Sequence, residues 1–190
     1  MIKGIFGPMY ASKSTELFKY IEKGVYSKKK ILLIRPLKDN RSYFAHSYCD
    51  NAMQKLIEER KVDVFCIRDV TENIVKQANE YDIVAVDEYF MIENMLQLVM
   101  NISPRIDCYI AGLLADSDCN LFEQTKIILP YCDEIVKLNA VCQECGESAN
   151  YSYHKGNKTS QIEVGDTKYE CLCRKCYLEK TLCKGKYLTI

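Results

Sequence analysis

The sequence predicts an α/β fold in which helices flank a parallel β-sheet, followed by a small metal-binding domain. Short apolar runs alternate with longer amphipathic runs over residues 1–140, as strands and helices do in a parallel sheet. A glycine-containing loop joins the first apolar run to the first amphipathic run. Beyond residue 140 the apolar content falls and cysteines become frequent, so we expect one domain at residues 1–140 and a second at 141–190.

Strands and helices are expected in regular alternation along the first domain. Apolar runs predict strands at residues 2–6, 31–35, 62–67, 82–86 and 106–112, and a closing segment at 133–140. Amphipathic periodicity predicts helices at residues 13–26, 70–81 and 92–101. In the first helix Leu17, Ile21 and Val25 share one face, because positions i, i+4 and i+8 align in an α-helix.

The composition of the chain argues against a membrane protein, a secreted protein and a DNA-binding protein. The chain has no apolar run of the roughly 18 residues that a membrane helix requires, and glycine and proline interrupt its first residues too early for a signal peptide. Its 26 basic and 26 acidic residues cancel, which removes the electrostatic attraction on which DNA binding depends. Eleven cysteines without a secretory signal favour reduced thiols, some of them on a metal. We therefore expect a cytoplasmic protein with no membrane or nucleic-acid partner.

The loop GPMYASKSTE at residues 7–16 has the rhythm of a phosphate-binding loop, G-x-x-x-x-G-K-[ST], with Ser12 in place of the second glycine. In such loops the backbone N–H groups and the N-terminus of the following helix point at phosphate oxygens. Lys13 would reach the terminal phosphates and Ser14 would bind Mg²⁺. The loop favours a P-loop NTPase-like sheet, although an ordinary strand–turn–helix would also produce this half-match.

Two carboxylates, Asp87 and Glu88, follow the predicted strand at residues 82–86. Ligands bind at the C-terminal ends of strands in open parallel sheets, so both side chains are candidates for a ligand site. A carboxylate in this position holds Mg²⁺ or accepts a proton from an attacking hydroxyl group. Together with the upstream loop, the pair indicates phosphoryl transfer from a nucleotide. Alone, it would also fit the start of a loop or a cap on the next helix.

Two C-x-x-C motifs give the strongest spacing signal in the chain: Cys142 with Cys145, and Cys173 with Cys176. Each motif can place two thiolates on one ion, and the two motifs together complete a closed tetrahedral site. A closed set leaves no position for a reacting ligand, so it predicts a structural Zn²⁺ rather than a catalytic one. Pairing of Cys171 with Cys173, or redox chemistry of the motifs, remains an alternative.

Six segments, taken in order, point to one family of enzymes. They are GPMYASKSTEL (7–17), RPLKDNR (35–41), VDE (86–88), AGL (111–113) with Phe122 after it, VKLNAVCQEC (136–145) and KYECLCRKCY (168–177). With these segments the chain resembles, almost from end to end, the thymidine kinases that combine a P-loop domain with a zinc-holding lasso domain. The resemblance implies a P-loop NTPase-like parallel sheet with flanking helices, followed by a small zinc-ribbon or lasso domain.

The resemblance further implies transfer of the γ-phosphate of ATP to the 5′-hydroxyl group of thymidine or deoxyuridine, with Mg²⁺ required and Zn²⁺ structural. By position, Glu88 would be the general base and Lys13 would neutralise charge that develops on the phosphates. The positions that match ATP and magnesium ligands are Gly7, Pro8, Met9, Tyr10, Ala11, Ser12, Lys13, Ser14, Asp39, Arg41 and Asp87. The positions that match nucleoside ligands are Met9, Phe90, Met91, Ser117, Phe122, Gln161, Ile162, Glu163, Val164, Gly165 and Tyr169. A homotetramer, inhibition by thymidine triphosphate and a role in nucleotide salvage for DNA synthesis are also implied.

The chain departs from the family pattern at several positions, most of them around the nucleoside base. Ser12 replaces a glycine, and Phe90 stands where the family has glutamine. Leu114 and Ser117 stand where the family has an aspartate and a phenylalanine. Because the groups expected to act on the phosphates are present, these changes concern the substrate more than the reaction. Two other hypotheses stay open: a nucleotide-binding regulatory homologue with lost or altered catalysis, and a P-loop ATPase with a zinc ribbon that handles nucleic acid.

Overall fold

A six-stranded parallel sheet lies at the centre of the part of the chain that this computed structural model describes, residues 1–39, 49–156, 158, 160–162 and 165–183. The strands are β1 (Ile2–Phe6), β2 (Ile31–Pro36), β3 (Asp63–Ile67), β4 (Ile83–Val86), β5 (Asp107–Gly112) and β6 (Glu134–Lys137). They follow the order β3-β2-β4-β5-β1-β6, and every neighbouring pair is parallel. The predicted α/β fold with a parallel sheet is confirmed.

Helices cover both faces of this sheet. On one face lie α1 (Lys13–Tyr26) and α2 (Cys49–Glu58), and on the other lie α3 (Glu72–Ala78), α4 (Met95–Asn101) and α5 (Glu123–Ile128). Neighbouring side chains of β2 divide between the two cores, with Leu33 beneath α1 and Leu32 beneath the opposite helices. All residues of β4 are buried, which is typical of a parallel sheet covered on both sides. Among the described residues, no helix has the length and apolar character that crossing a membrane requires.

Several element boundaries differ from the predicted ones. The predicted helix at 70–81 starts late, because the hydroxyl oxygen of Thr71 accepts the backbone N–H of Ile74 at 3.4 Å and caps α3. The predicted helix at 92–101 begins only with α4, since Tyr89–Met91 form a short 3₁₀ helix and Asn94 takes left-handed backbone angles. The predicted helices did not include α2 or α5. Helix α5 has only six residues, and α2 is amphipathic and buries Cys49 and Met53.

Beyond β6 the chain forms two antiparallel hairpins and a final helix. These are β7 (Ala140–Val141) with β8 (Ser148–Ala149), β9 (Tyr151–His154) with β10 (Tyr169–Leu172), and α6 (Arg174–Cys183). The closing segment predicted at 133–140 is thus divided between β6 and β7. Although apolar residues are few here, tyrosine rings and cysteines build a third core. Tyr177 stacks on Tyr151 with ring centroids 4.8 Å apart, and Ala11 of the glycine-containing loop packs in the same core.

Candidate active site

Three loops meet at the C-terminal edge of the sheet, as expected for strands that run in parallel. The glycine-containing loop follows β1, Asp87 and Glu88 follow β4, and residues 113–122 follow β5. Ser14, in the first turn of α1, donates its hydroxyl hydrogen to Asp87 Oδ1 at 3.1 Å. The loop and the carboxylate pair, joined by this contact across 73 positions of sequence, therefore form one site.

The glycine-containing loop makes a tight turn into the N-terminus of α1. Ser12 adopts left-handed backbone angles (φ 55°, ψ 34°) immediately before the helix begins. Gly7 has no room for a side chain, since a Cβ atom there would lie 2.8 Å from the carbonyl oxygen of Leu138. Lys13 is buried, and its Nζ donates to the carbonyl oxygen of Pro8 at 2.7 Å. The loop itself therefore holds this ammonium group beside the positive end of the helix dipole.

Glu88 occupies a strained backbone position between β4 and a cavity. Its backbone is left-handed (φ 50°, ψ 43°), and the residue is buried. Such angles in a residue other than glycine cluster at functional sites. The next residue, Tyr89, fixes this turn, because its hydroxyl group donates to the carbonyl oxygen of Leu113 at 2.9 Å and lies 2.6 Å from the side-chain hydroxyl group of Thr125. Glu88 is therefore placed by a buried, hydrogen-bonded turn.

The cavity beside Glu88 has largely apolar walls. Phe90 and Phe122 form part of its wall, and their rings stack with centroids 4.6 Å apart and 25° between the planes. The other residues predicted to contact a nucleoside that line this cavity are Met9, Met91, Ser117, Gln161, Ile162, Gly165 and Tyr169. Two further predicted residues, Glu163 and Val164, lie outside the described residues. The structure thus brings together segments that are far apart in the sequence, and their role in binding stays a prediction.

The cysteines of the two C-x-x-C motifs, Cys142, Cys145, Cys173 and Cys176, converge on one point. Their Sγ atoms all lie within 4.8 Å of one another, and those of Cys145 and Cys173 are 3.6 Å apart. A tetrahedral ion with Zn–S bonds of about 2.3 Å sets sulfur atoms roughly 3.8 Å apart, so these thiols fit a zinc ion. Burial opposes ionisation of Cys142, but hydrogen bonds from the backbone N–H groups of Cys173 and Cys145 outweigh it and lower its pKa to about 6. This favours the thiolate that a metal ligates.

Cys171, the alternative partner of Cys173, does not belong to this cluster. It is fully buried in the third core beside Leu172, and burial raises the pKa of its thiol to about 11. The ten cysteines of the described ranges for which a state is assigned are free thiols rather than disulfides. The pairing of the two C-x-x-C motifs is the one that the geometry supports.

Similarity to known proteins identifies the family. A family model described as thymidine kinase matches residues 1–177. The chain belongs to the thymidine kinase family. It is 31% identical to the thymidine kinase of Amsacta moorei entomopoxvirus, over 93% of this chain and 97% of that one. It is also 31% identical to the thymidine kinase of Pyrobaculum aerophilum, over 94% of this chain and 98% of that one. The thymidine kinase of Pseudothermotoga lettingae is likewise 31% identical, over 91% of this chain and 92% of that one.

Membership of the thymidine kinase family confirms the resemblance drawn from the sequence motifs. The chain is a kinase, that is, a phosphoryl-transferring enzyme, and the family implies ATP and Mg²⁺. The cluster of four cysteines in this kinase is compatible with a structural zinc ion. Function in nucleotide salvage follows from the same membership.

The loop after β2 of this thymidine kinase family member carries two predicted phosphate ligands. The side chain of Asp39 is buried, and its carboxylate accepts a hydrogen bond from Arg35 Nη2 at 3.2 Å. The backbone N–H of Asp87 donates to the carbonyl oxygen of Ile34 at 2.9 Å, so the ends of β2 and β4 adjoin. Asp39 therefore belongs to the same edge of the sheet as the carboxylate pair, whereas Arg41 lies outside the described residues.

The cavity of this kinase also contains Ala115, Asp116 and Ser152, which the sequence motifs did not single out, and Leu113, which ends the AGL segment but was not predicted to contact a ligand. Asp116 could have been found, because it follows the C-terminal end of β5, where ligand sites of parallel sheets lie. Ser152 gave no such signal. It belongs to β9, and its Oγ accepts the backbone N–H of Met9 at 3.0 Å across 143 positions of sequence. The C-terminal hairpins thus reach the glycine-containing loop directly.

Proposed function

We propose that this kinase transfers the γ-phosphate of ATP to the 5′-hydroxyl group of thymidine, and that it also accepts deoxyuridine, which lacks only the 5-methyl group. One observation carries the proposal: Asp87 and Glu88 are adjacent in the chain, yet their side chains lie in different parts of the site. Asp87 bonds with Ser14 beneath the glycine-containing loop, whereas Glu88 lines the apolar cavity. Phosphoryl transfer needs a donor site and an acceptor site placed side by side in this way.

The phosphates of ATP would lie against the glycine-containing loop, where backbone N–H groups and the N-terminus of α1 offer hydrogen bonds and partial positive charge. Lys13 would exchange the carbonyl oxygen of Pro8 for a phosphate oxygen, and its Nζ already lies within the loop. Ser14 and Asp87 supply the hydroxyl and carboxylate oxygens that suit Mg²⁺. When bound there, the ion would neutralise charge on the phosphates.

The cavity has the character that a pyrimidine base requires. The stacked rings of Phe90 and Phe122 provide an aromatic wall at a site where the family's phenylalanine is replaced by Ser117. Tyr169, which is buried, adds a further ring. Glu88 would accept the proton of the 5′-hydroxyl group as it attacks the γ-phosphorus, and a general base of this kind contributes roughly 10²- to 10⁴-fold to the rate.

A zinc ion on the four cysteines would have a mechanical role. Cys142 and Cys145 precede the segment that supplies Gln161 to the cavity, and Cys173 and Cys176 follow it. An ion held by both pairs would therefore hold both ends of that segment.

Further expectations from the family resemblance are part of the same proposal. Asp39 and Arg41 would lie along the phosphates, and the division at residue 140 would separate the ATP-binding domain from the lasso domain. We also expect a homotetramer, inhibition by thymidine triphosphate and a cytoplasmic location.

A panel of pyrimidine nucleosides with ATP and Mg²⁺ tests the proposal directly. We expect phosphorylated thymidine and deoxyuridine from the unmodified protein. In Glu88→Gln, which keeps the side-chain size but cannot accept the proton, kcat should fall by roughly 10²- to 10⁴-fold. Calorimetric binding of ATP should be unchanged in this variant, because Glu88 lines the cavity rather than the loop. Glu80→Gln, which alters an exposed carboxylate, is the matched control and should retain full activity.

Failure of the unmodified protein to phosphorylate any nucleoside of the panel would contradict the proposal. If that protein still bound ATP tightly, it would instead be a nucleotide-binding regulatory homologue. Binding of DNA that weakens with added salt would support the other hypothesis, a P-loop ATPase that handles nucleic acid.

A further inference from the structure

A nearly buried ion pair joins the C-terminal region to the loop that follows β5. Lys158 Nζ donates to Asp116 Oδ2 at 2.8 Å and to Asp118 Oδ2 at 3.1 Å. Only 3% of the Asp116 side chain and 16% of the Lys158 side chain are exposed. Exposed ion pairs contribute little, whereas removal of one partner of a buried pair leaves the other charge uncompensated. The two segments therefore cannot lose this connection without a substantial free-energy cost.

The carboxylate of Asp116 is fixed by its own loop. Its Oδ1 accepts the backbone N–H groups of Asp118 and Asn120, both at 2.9 Å, and its backbone N–H donates to the carbonyl oxygen of Asn120 at 2.9 Å. Burial opposes ionisation of Asp116, yet hydrogen bonds from Lys158 and from these backbone N–H groups outweigh it and hold its pKa below the usual value. The loop thus presents a preformed, charged receptor for one ammonium group.

The ion pair adjoins the walls of the cavity. Asp116 and Ser117 line the cavity from the loop after β5. Gln161 and Ile162, which line it from the C-terminal region, come shortly after Lys158 in the chain. Ile162 also packs against the hydrophobic core beneath α3, α4 and α5. The place where Lys158 is held therefore bears directly on where Gln161 and Ile162 lie.

We propose that Lys158 is a positioning residue for the nucleoside: its ion pair with Asp116 and Asp118 holds the wall that contains Gln161 and Ile162 in place against the bound base. The inference rests on the proposed function, because it assigns a role in nucleoside binding. Lys158 acts here through the backbone of the residues that follow it, not on the reacting atoms. Its ammonium group is already engaged by two carboxylates, which disfavours a role as a phosphate ligand.

Without this ion pair, only a fraction of the molecules would have the wall in the arrangement that binds the nucleoside. The apparent dissociation constant then rises by the inverse of that fraction, while turnover of the bound complex is preserved. For Lys158→Met, which keeps an unbranched chain and removes the charge, we expect KM for thymidine to rise about tenfold. Both kcat and KM for ATP should stay within about twofold, since the lost interaction affects nucleoside binding alone.

Two variants and a salt titration separate this role from a merely structural one. Lys158→Arg should restore most of the affinity for thymidine, because a guanidinium group can still bridge two carboxylates. Lys155→Met removes an exposed charge from the same segment and should change neither KM. Because the pair is nearly buried, added salt should screen it little. The rise in KM for thymidine that Lys158→Met causes should therefore persist at high salt, whereas a rise that added salt removes would reflect a long-range charge effect and would overturn the inference.

Calorimetric titration with thymidine, in the presence of a non-hydrolysable ATP analogue, distinguishes this inference from the proposed function. If the unmodified protein phosphorylates thymidine and Lys158→Met binds it equally well, the inference is overturned and the proposed function stands. If nothing is phosphorylated but Lys158→Met weakens thymidine binding, the inference stands and the proposed catalysis falls. An equal loss of affinity for ATP and thymidine that arginine does not restore overturns the inference. Absence of thymidine binding by the unmodified protein overturns both.

Discussion

Ser12 is one of two residues of the glycine-containing loop, with Tyr10, that adopt a positive φ. Left-handed angles cost a residue with a Cβ atom roughly 1–2 kcal/mol, and the exposed Ser12 side chain makes no capping hydrogen bond that would offset this. Glycine adopts the same angles without the steric penalty. The departure from the family pattern at this position therefore introduces strain, while the chain still follows the turn into α1.

We expect Ser12→Gly to raise the free energy of unfolding by about 0.5–1 kcal/mol. The substitution relieves the backbone strain of the folded state, but part of that gain is lost because glycine gives the unfolded chain more conformational entropy. For a chain of this size the Tm should rise by roughly 1–4 °C. Thermal denaturation followed by circular dichroism measures both. Ser27→Gly is the control, because Ser27 follows α1 with φ −84° and has no left-handed strain to relieve. An equal gain in both variants, or a lower Tm in Ser12→Gly, would contradict the expectation.

The turn after β4 interlocks with β5, and this contact decides where Glu88 lies. A Cβ atom on Gly112, at the end of β5, would lie 2.7 Å from the ring of Tyr89 and 3.2 Å from that of Phe90. On its other side the Tyr89 ring meets Phe6 edge-on, with centroids 5.5 Å apart. The turn is therefore packed between Gly112 of β5 and Phe6 of β1, and a displaced Tyr89 would carry Glu88 with it.

Gly112→Ala should accordingly reduce both stability and catalysis. Overpacking of a core by one methyl group costs roughly 1–3 kcal/mol, which urea unfolding would measure. Displacement of Glu88 should lower kcat by roughly 10- to 100-fold in the kinase assay. The matched control is Gly156→Ala, where the nearest neighbour of a Cβ atom is the His154 ring at 3.8 Å. Unchanged kcat in a destabilised Gly112→Ala protein would show that the turn does not position Glu88.

Features set by neighbouring residues could be predicted from the sequence, and features set by distant contacts could not. The helix at Lys13–Tyr26 has its predicted bounds, because its apolar spacing and the preceding loop are local signals. The cysteine cluster followed from two local spacings. By contrast, the left-handed angles of Glu88 depend on how Tyr89 packs between β1 and β5. Lys158 meets its two carboxylates only because the chain returns across 42 and 40 positions of sequence. The sequence shows that Ser12 replaces the glycine of the family pattern, but it does not show that Ser12 adopts left-handed backbone angles.

The C-terminal hairpins and the glycine-containing loop support one another. Met9 donates to Ser152, and the Tyr10 hydroxyl group donates to the carbonyl oxygen of Tyr169 at 3.4 Å. Ala11 packs in the core that also contains Cys142. Because a metal on the four cysteines would brace the same hairpins, its loss should affect the ATP site as well as the nucleoside cavity.

We expect about one zinc per chain by metal analysis, and a lower Tm when zinc is removed by a chelator or by Cys145→Ser. Zinc binding contributes roughly 10–16 kcal/mol to the folding of small zinc peptides. Because the free energy of unfolding of a domain is usually only about 5–15 kcal/mol, the loss of even part of the zinc contribution would lower stability substantially. KM should rise for both ATP and thymidine. Cys66→Ser, which alters an exposed thiol outside the cluster, is the control. Full zinc content in Cys145→Ser, or an unchanged Tm after complete chelation, would contradict the expectation.

Asp87 and Glu88 are separated by one peptide unit, so the donor and acceptor halves of the proposed reaction are carried by consecutive residues. Their Cα atoms stay about 3.8 Å apart, and the packed turn after β4 sets where the two carboxylates lie. The cavity walls, in contrast, come from several separate segments, and they differ from the family pattern at Phe90 and Ser117. Substitutions in the cavity walls can therefore change which nucleoside the chain prefers, while the backbone spacing between Asp87, on the phosphate side, and Glu88, on the hydroxyl side, stays the same.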